Sequence, residues 1–573
     1  MVFDSSLTSI TVDYVVYYLN GNWIAAANPA NPNLKDIVDV TPSSVISKAF
    51  ATLGSSGTVF FRAFNYGGIS IVPSGSINIW EDLNVTGLTI APASGWTGKV
   101  LPFKRSSVTV SANGPDYLGD YGSNTPGTTT GGIKEALAAL TIGRTWKETV
   151  TVIGNIDNIS ESIILQSYTR LELQGKLTCS NNCSIISGQG VLINQQAITG
   201  TSYDTDIEVV GGIIDCNKAN NTTTYEGIIF LNLKNFVLEK VEVMNSPEDG
   251  IVVGQQGAYL CSGQARDCIC HDCAATGFVV NDEGLINVSG GQYYANTGGG
   301  FSVTHDSAAY EHLNEGLVAI GLHAYQNTGA GISSSYQAGI YPNGFKISGI
   351  AEQNDTGFDF SQANNIFLDI IAIANNNSGV SLNAITNSTI KVQSYNNAQS
   401  PTQPTWGQDT SGLFMQTMNN CDIYANCFDN QGTPTQKYGI ISNSAQTNDF
   451  ANCTITGQVH DNTTGQYTET ITTGGFAASR NVHDLVGFNP QGFAVTTPAV
   501  PASGTAQTNT AGYAVRIYLL TGGTGTAVAI TDPSGTTQSI TVPLAAGQEW
   551  TLDPGAKITF TYSAAPTWKW YGI

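Results

Sequence analysis

The densest group of chemically capable side chains lies in SVTHDSAAYEHLNEG, residues 302 to 316, which holds two histidines and three carboxylates in fifteen positions. Only 11% of the chain is charged, so this concentration stands out. Hydrolysis of a glycosidic bond needs one protonated carboxyl to donate to the leaving oxygen and one carboxylate to activate water or attack, about 5 to 9.5 Å apart. The catalytic candidates are Asp282 and Glu283, then His305 and Asp306, then Glu311 and Glu315. An elimination would instead use His305, His312 or Tyr336 as base, with Asp282, Glu283 and Asp306 holding Ca²⁺ against a uronic carboxylate. A solvated insertion that binds or does nothing is the third reading, and the sequence leaves all three open. No other cofactor is implied. The cluster DCICHDC, with Cys268, Cys270, His271 and Cys273, lacks the paired C-x2-C spacing of a zinc site, so no metal site is expected there.

These residues sit on a repeat. A small or polar residue, then Gly, then alternating apolar positions recurs as EGIIFLN at Gly227, DGIVVGQ at Gly250, TGFVVND at Gly277, GGFSVTH at Gly300 and AGISSSY at Gly331. It continues as TGFDFSQ at Gly357, SGVSLNA at Gly379, SGLFMQT at Gly412 and YGIISNS at Gly439, nine copies at intervals of 22 to 33 residues. Period-two alternation predicts a strand with one buried face. A second alternating stretch precedes each Gly and usually ends in Asn, as at Asn245, Asn296, Asn327, Asn354 and Asn376, which predicts tight turns where Asn and Gly tolerate positive φ. One repeat is then two or three short strands that bury their apolar face only by stacking on the next copy, a parallel β-solenoid. The spacing of Cys427 and Cys453 equals one coil, which makes them disulfide candidates.

Stacking puts the residues two and four after each Gly on the outer face, a column of short polar side chains. Asn281, Thr304, Ser333 and Asp359 in that column, with Tyr336 at a strand end, are candidate contacts to a neutral, sugar-like polymer. The two longest intervals are insertions, which in solenoids become loops on one side. One contains residues 306 to 315; the other contains AQSPTQPTWGQDTSG, where Trp406 is a candidate sugar-stacking ring.

The repeat, preceded by GGIKEALAAL at 131 to 140 and TVTVIGNIDNISESIILQSYTRLELQGKL, resembles the pectate-lyase-like right-handed parallel β-helix family over about residues 126 to 485. The resemblance implies an all-β fold with a short N-terminal capping helix. The family spans lyases, hydrolases, viral tailspikes and adhesins, so it does not choose a chemistry. Neither the Asp-Asp pair nor the Gly-His-Gly of its polygalacturonase-like members is present. A similar helix-then-strand passage occurs in residues 43 to 71, so 43–125 is expected to be a small β-rich module and 1–42 an attachment segment. After residue 485, alternating strands divided by turns predict a C-terminal β-sandwich over 486–573. Its phrases VPASGT, LDPGAKITFTYS and APTWKW resemble modules of phage and archaeal-virus tail fibres, which implies a module that supports assembly of a homotrimer or binds a glycan; a plain cap on the solenoid is the alternative.

Composition narrows the partners. With 22 basic and 43 acidic residues the formal charge is −21, which repels a phosphate backbone, so no nucleic-acid partner is expected. No apolar run reaches the 18 or so residues of a membrane span, and the N-terminus lacks a secretory pattern. The expected partner is a cell-surface polysaccharide or glycoprotein glycan, bound by an extracellular or virion-borne protein attached through its N-terminal segment, with hydrolysis of that glycan open and a non-enzymatic adhesin and a polysaccharide lyase as alternatives.

Overall fold

The structure is a computed structural model that describes all residues except 1–11, 20, 29–30, 32, 62–64, 82–85, 92, 96, 99, 103–106, 116–117, 256–258, 282–283, 306–315, 337–342, 401–409, 444–449, 464, 470–481, 487–495, 512–513, 542 and 573. The chain forms two compact units, residues 1–292 with 296–298 and residues 293–295 with 299–573. Both contain coils of a right-handed parallel β-helix.

In the first unit each coil has three short strands. The Gly-led strands Gly190–Asn194, Glu226–Leu231, Ile251–Gly254 and Phe278–Asn281 pair in parallel, each with its counterpart one coil later. A second column holds Phe236–Glu239 and Ser262–Arg266, and a third holds Glu242–Met244 and Ile269–His271. The break between second and third strands falls on residues with positive φ, such as Gly211, Lys240 and Asp267. In the second unit this break is missing from most coils: Lys346–Glu352, Phe367–Ile373, Thr389–Tyr395 and Asp422–Phe428 run through as single seven-residue strands. Their sequences, such as FLDIIAI, carry no residue at that point that needs the left-handed region, so two strands complete the coil.

The repeat glycines have a cause other than the expected one. Gly300, Gly331, Gly357 and Gly379 are not among the residues with positive φ. A Cβ on Gly357 would lie 2.4 Å from the Gly379 carbonyl and 2.7 Å from the Asn375 amide; at Gly331 it would lie 2.8 Å from the Gly357 carbonyl. Close approach of stacked backbones, not turn geometry, selects glycine.

The asparagines likewise act inside the coil. In the second unit, Asn327, Asn354, Asn375, Asn397, Gln436 and Asn462 form a buried ladder. Asn375 Oδ1 accepts from the Asn354 backbone N–H at 2.9 Å, while its Nδ2 donates to the Ala351 carbonyl at 3.1 Å and to Asn397 Oδ1 at 2.9 Å. The turn conformation belongs to the residue before the ladder asparagine, as at Gln326, Gln353, Ala374, Asn396 and Asp461. Asn245 alone of the five expected turn asparagines has positive φ, and Asn376 is an exposed neighbour of the true ladder residue.

The helix expected at the start of the coil is Ile133–Ala138, with Ile133 and Ala136 buried. Ahead of it, the helix Pro42–Leu53 begins with proline in its first turn and packs Val45, Ile46 and Ala49 against a six-stranded sheet. That sheet includes Tyr14–Leu19, Asn22–Ala27 and Ile37–Asp39, so strands from the first 42 residues share a core with the module that follows. At the C-terminus, antiparallel strands form a four-stranded and a three-stranded sheet around Val515, Ile517, Val528, Ile558, Phe560 and Trp570, the expected sandwich. No helix among the described residues is long and apolar enough to cross a membrane.

No disulfide joins any of the ten cysteines, all of which are described residues. Cys427 stands opposite Val459 in the register, not Cys453. The thiol beside Cys453 is Cys421, because the pairing of Asp422 with Thr454 stacks the two residues that precede them. The coil between these strands is longer than the average repeat on which the Cys427–Cys453 pairing was based.

Two adjacent asparagines test the ladder. Asn375→Ala leaves the Asn354 N–H and the Ala351 carbonyl unpaired in the interior and should cost about 2–4 kcal/mol, whereas Asn376→Ala should stay within about 0.5 kcal/mol of the parent. Guanidinium unfolding followed by far-ultraviolet circular dichroism measures both, and equal midpoints would contradict the ladder's role.

Candidate functional site

The outer face of the Gly-led sheet in the second unit places polar residues in register. Phe301–His305 pairs with Ala330–Tyr336 so that Ser302 faces Ser333, Thr304 faces Ser335 and His305 faces Tyr336. Ser333 then faces Asp359, and Asp359 faces Ser381. The inward partners of these residues, Phe301, Val303, Ile332, Phe358, Phe360, Val380 and Leu382, are fully buried, which fixes the polar set outward. A second outward column continues from Ser361 to Asn383, Gln416 and Asn443.

The first column is bounded. Beyond Ser381 its next members are Phe414 and Ile441, both buried. The polar stretch is therefore four coils long, from Ser302 to Ser381, or about 14 Å at strand spacing. Ser333 and Ser302 are joined by a hydroxyl hydrogen bond of 3.2 Å. Asp359 is the column's one carboxylate. Its side chain reaches solvent, yet desolvation by the surrounding protein raises its carboxyl above the ordinary range, opposed by a hydrogen bond with Ser381. The arrangement offers hydroxyl donors and acceptors with a single carboxylate among them.

Of the sequence-derived candidates, Ser333 and Asp359 are brought into direct register, and Thr304 lies on the same face. His305 and Tyr336 are opposite one another as backbone positions at strand ends. Asn281 ends the strand Phe278–Asn281 in the first unit, where it faces Gly254. Asp282, Glu283, Asp306, Glu311, Glu315 and Trp406 lie outside the described residues.

A carboxyl pair that the sequence reading passed over lies in the first unit. The pairing of Ile228 with Ile251 sets Glu226 opposite Asp249 on the next coil, and the Gly227 N–H donates to the Asp249 carbonyl at 3.2 Å. Burial, with Asp249 and Glu248 nearby, pushes the Glu226 carboxyl up to about 8. Its Oε2 is buried and accepts no hydrogen bond from the described residues. Asp249 is held by the Thr276 N–H at 2.7 Å. One carboxyl that keeps its proton beside one fixed by a backbone donor is an acid–base pairing set by environment. The signal was in the repeat itself: the first two copies, EGIIFLN and DGIVVGQ, carry an acid directly before Gly.

The chain matches no protein-family model and no curated protein. Its fold is similar to solved structures. The A-module of the Azotobacter vinelandii mannuronan C-5 epimerase AlgE6 aligns at 16% identity and TM-score 0.46, covering 62% of this chain and 94% of that one. A tailspike protein of the E. coli bacteriophage HK620 aligns at 10% and 0.33, covering 74% and 86%. A surface adhesin of Streptococcus pneumoniae, PfbA, aligns at 12% and 0.29, covering 72% and 96%. Likenesses this distant concern the winding of the chain and carry no argument about chemistry.

Glu226 makes stability fall with pH. Its folded value near 8 lies above the ordinary 4.5, so the folded state holds a proton that the unfolded state releases, and stability declines as pH rises through that window. Glu226→Gln removes the penalty. At about 1.4 kcal/mol per pH unit, reduced for partial exposure to water, the variant should gain on the order of 2 kcal/mol at pH 9 and little at pH 4. Melting of both proteins across this range checks the expectation; parallel pH profiles would refute it.

Proposed function

We propose that this chain is an extracellular or virion-borne glycan-binding protein that holds a neutral polysaccharide along the polar face of its Gly-led sheet. The observation that carries the reading is the register-matched column Ser302, Ser333, Asp359 and Ser381. Hydroxyls on successive coils repeat at about 4.8 Å, close to the length of a sugar ring, and exchange hydrogen bonds with a polymer without needing a counter-charge. The formal charge of −21 and the shortage of basic side chains favour neutral over polyuronic chains. The two longest insertions of the repeat, around 306–315 and 401–409, adjoin Gly-led strands in the sequence. Attachment through residues 1–42 and assembly as a homotrimer complete the proposal, supported by the resemblance of the C-terminal phrases to viral fibre modules; sedimentation equilibrium of the full chain tests the trimer.

A second reading, hydrolysis, is favoured by Glu226 and Asp249. Glu226 keeps a proton at neutral pH and would donate it to a leaving oxygen; Asp249, opposite it on the next coil, would act on water. Glu226→Gln should then stop the release of reducing ends without weakening retention of polymer. Release at the parental rate would remove the pair from the chemistry.

Affinity electrophoresis through gels containing dextran, mannan, galactomannan or alginate tests the binding face. At least one neutral polymer should retard the protein more than alginate does. Ser381→Trp fills the outward column without touching the core and should weaken that retardation at least tenfold, with Asp359→Ala reducing it severalfold. Unaltered mobility of both variants, or retardation by alginate alone, would overturn the proposal.

A further inference from the structure

A cavity of about 300 Å³ opens on a different sheet of the second unit, over Phe367–Ile373, Thr389–Tyr395 and Asp422–Phe428. Two outward columns line it. One runs Asp369, Lys391, Tyr424 in register, and the other runs Ile371, Gln393, Asn426. Its volume lies at the lower end for small-molecule sites. We propose that this cavity binds a single neutral sugar ring, at a site separate from the Gly-led face and independent of any polymer bound there.

Three observations point to that ligand. Tyr424 is 52% exposed, a large ring left open to water at the cavity's edge, where its face offers an apolar platform to the C–H side of a sugar. Asn426 lines the cavity, and its buried Oδ1 accepts no hydrogen bond from the described residues, a cost that a turn of the side chain toward a bound hydroxyl would remove. Asp369 and Lys391 face each other on neighbouring strands, and Lys391 Nζ lies 5.8 Å from the Phe367 ring centre. Neither is held in an ion pair among the described residues, so acceptor and donor are both free to meet hydroxyls around a ring. One aromatic face, one unmet acceptor and a ring of mixed donors and acceptors suit a compact polyol. A lipid would want a larger apolar wall, and a phosphate would want more than one cation.

Saturation-transfer nuclear magnetic resonance on the full chain tests the site, with methyl glycosides of glucose, galactose, mannose and N-acetylglucosamine as probes. At least one glycoside should receive saturation from the parent and equally from Asn376→Ala, an exposed position outside both faces. The transfer should fall at least fivefold in Tyr424→Ala and be kept in Tyr424→Trp, which retains a ring. The proposal is overturned if no glycoside receives saturation, if Tyr424→Ala leaves the transfer unchanged, or if the Trp and Ala variants lose it equally. Loss in Asp359→Asn with none in Tyr424→Ala would assign the binding to the Gly-led face instead.

Discussion

The second unit depends on one recurring interaction: a buried carboxamide that ties each coil to the one before it. Asn354 and Asn375 each answer a backbone N–H and a backbone carbonyl of the preceding coil, groups that would otherwise be orphaned where the chain turns inward. Every other feature of the coil accommodates that ladder. Glycine recurs beside it because a Cβ would strike the amide and the next glycine's carbonyl, and Ala324, Ala351 and Ala372 line the adjacent strand column because only small side chains fit there. With stacking secured from within, the outer face is released from structural duty and is free to carry hydroxyls.

Much of this was legible in the sequence, for a physical reason. A solenoid writes its period directly into the chain, so alternation around each Gly located the strands, and IKEALA announced the capping helix. The roles of Gly and Asn were misread because their commonest use is in turns, whereas here both serve close packing. The distinction between Asn375 and Asn376 depends on which of two adjacent residues faces inward, and composition carries no such information. The cysteine pairing failed similarly: an average repeat length does not set a local register, and the coil from Cys421 to Cys453 departs from the average. Strands at the first 42 residues were obscured by the absence of the solenoid period there.

At the candidate sites the sequence performed unevenly. The outward column was readable as far as Ser381, since inward and outward positions alternate strictly once the Gly is found. The carboxyl pair at Glu226 and Asp249 was printed in two successive repeats but lacked meaning without the desolvation that separates the two groups. The cavity beside Tyr424 had no sequence signature, because it arises where three neighbouring strands lay unrelated side chains side by side.

Between Asn397 and Gln436 the ladder crosses the longest interval of the repeat, and there the chain uses glutamine: Gln436 Oε1 meets the Asn397 N–H at 3.3 Å, and its Nε2 donates to Asn462 Oδ1 at 2.6 Å. One extra methylene maintains continuity across an insertion. A scaffold that absorbs added length in this way decouples inheritance of the fold from variation in its loops, so a lineage under pressure to recognise new surfaces can lengthen or exchange those loops in a single step without renegotiating the interior.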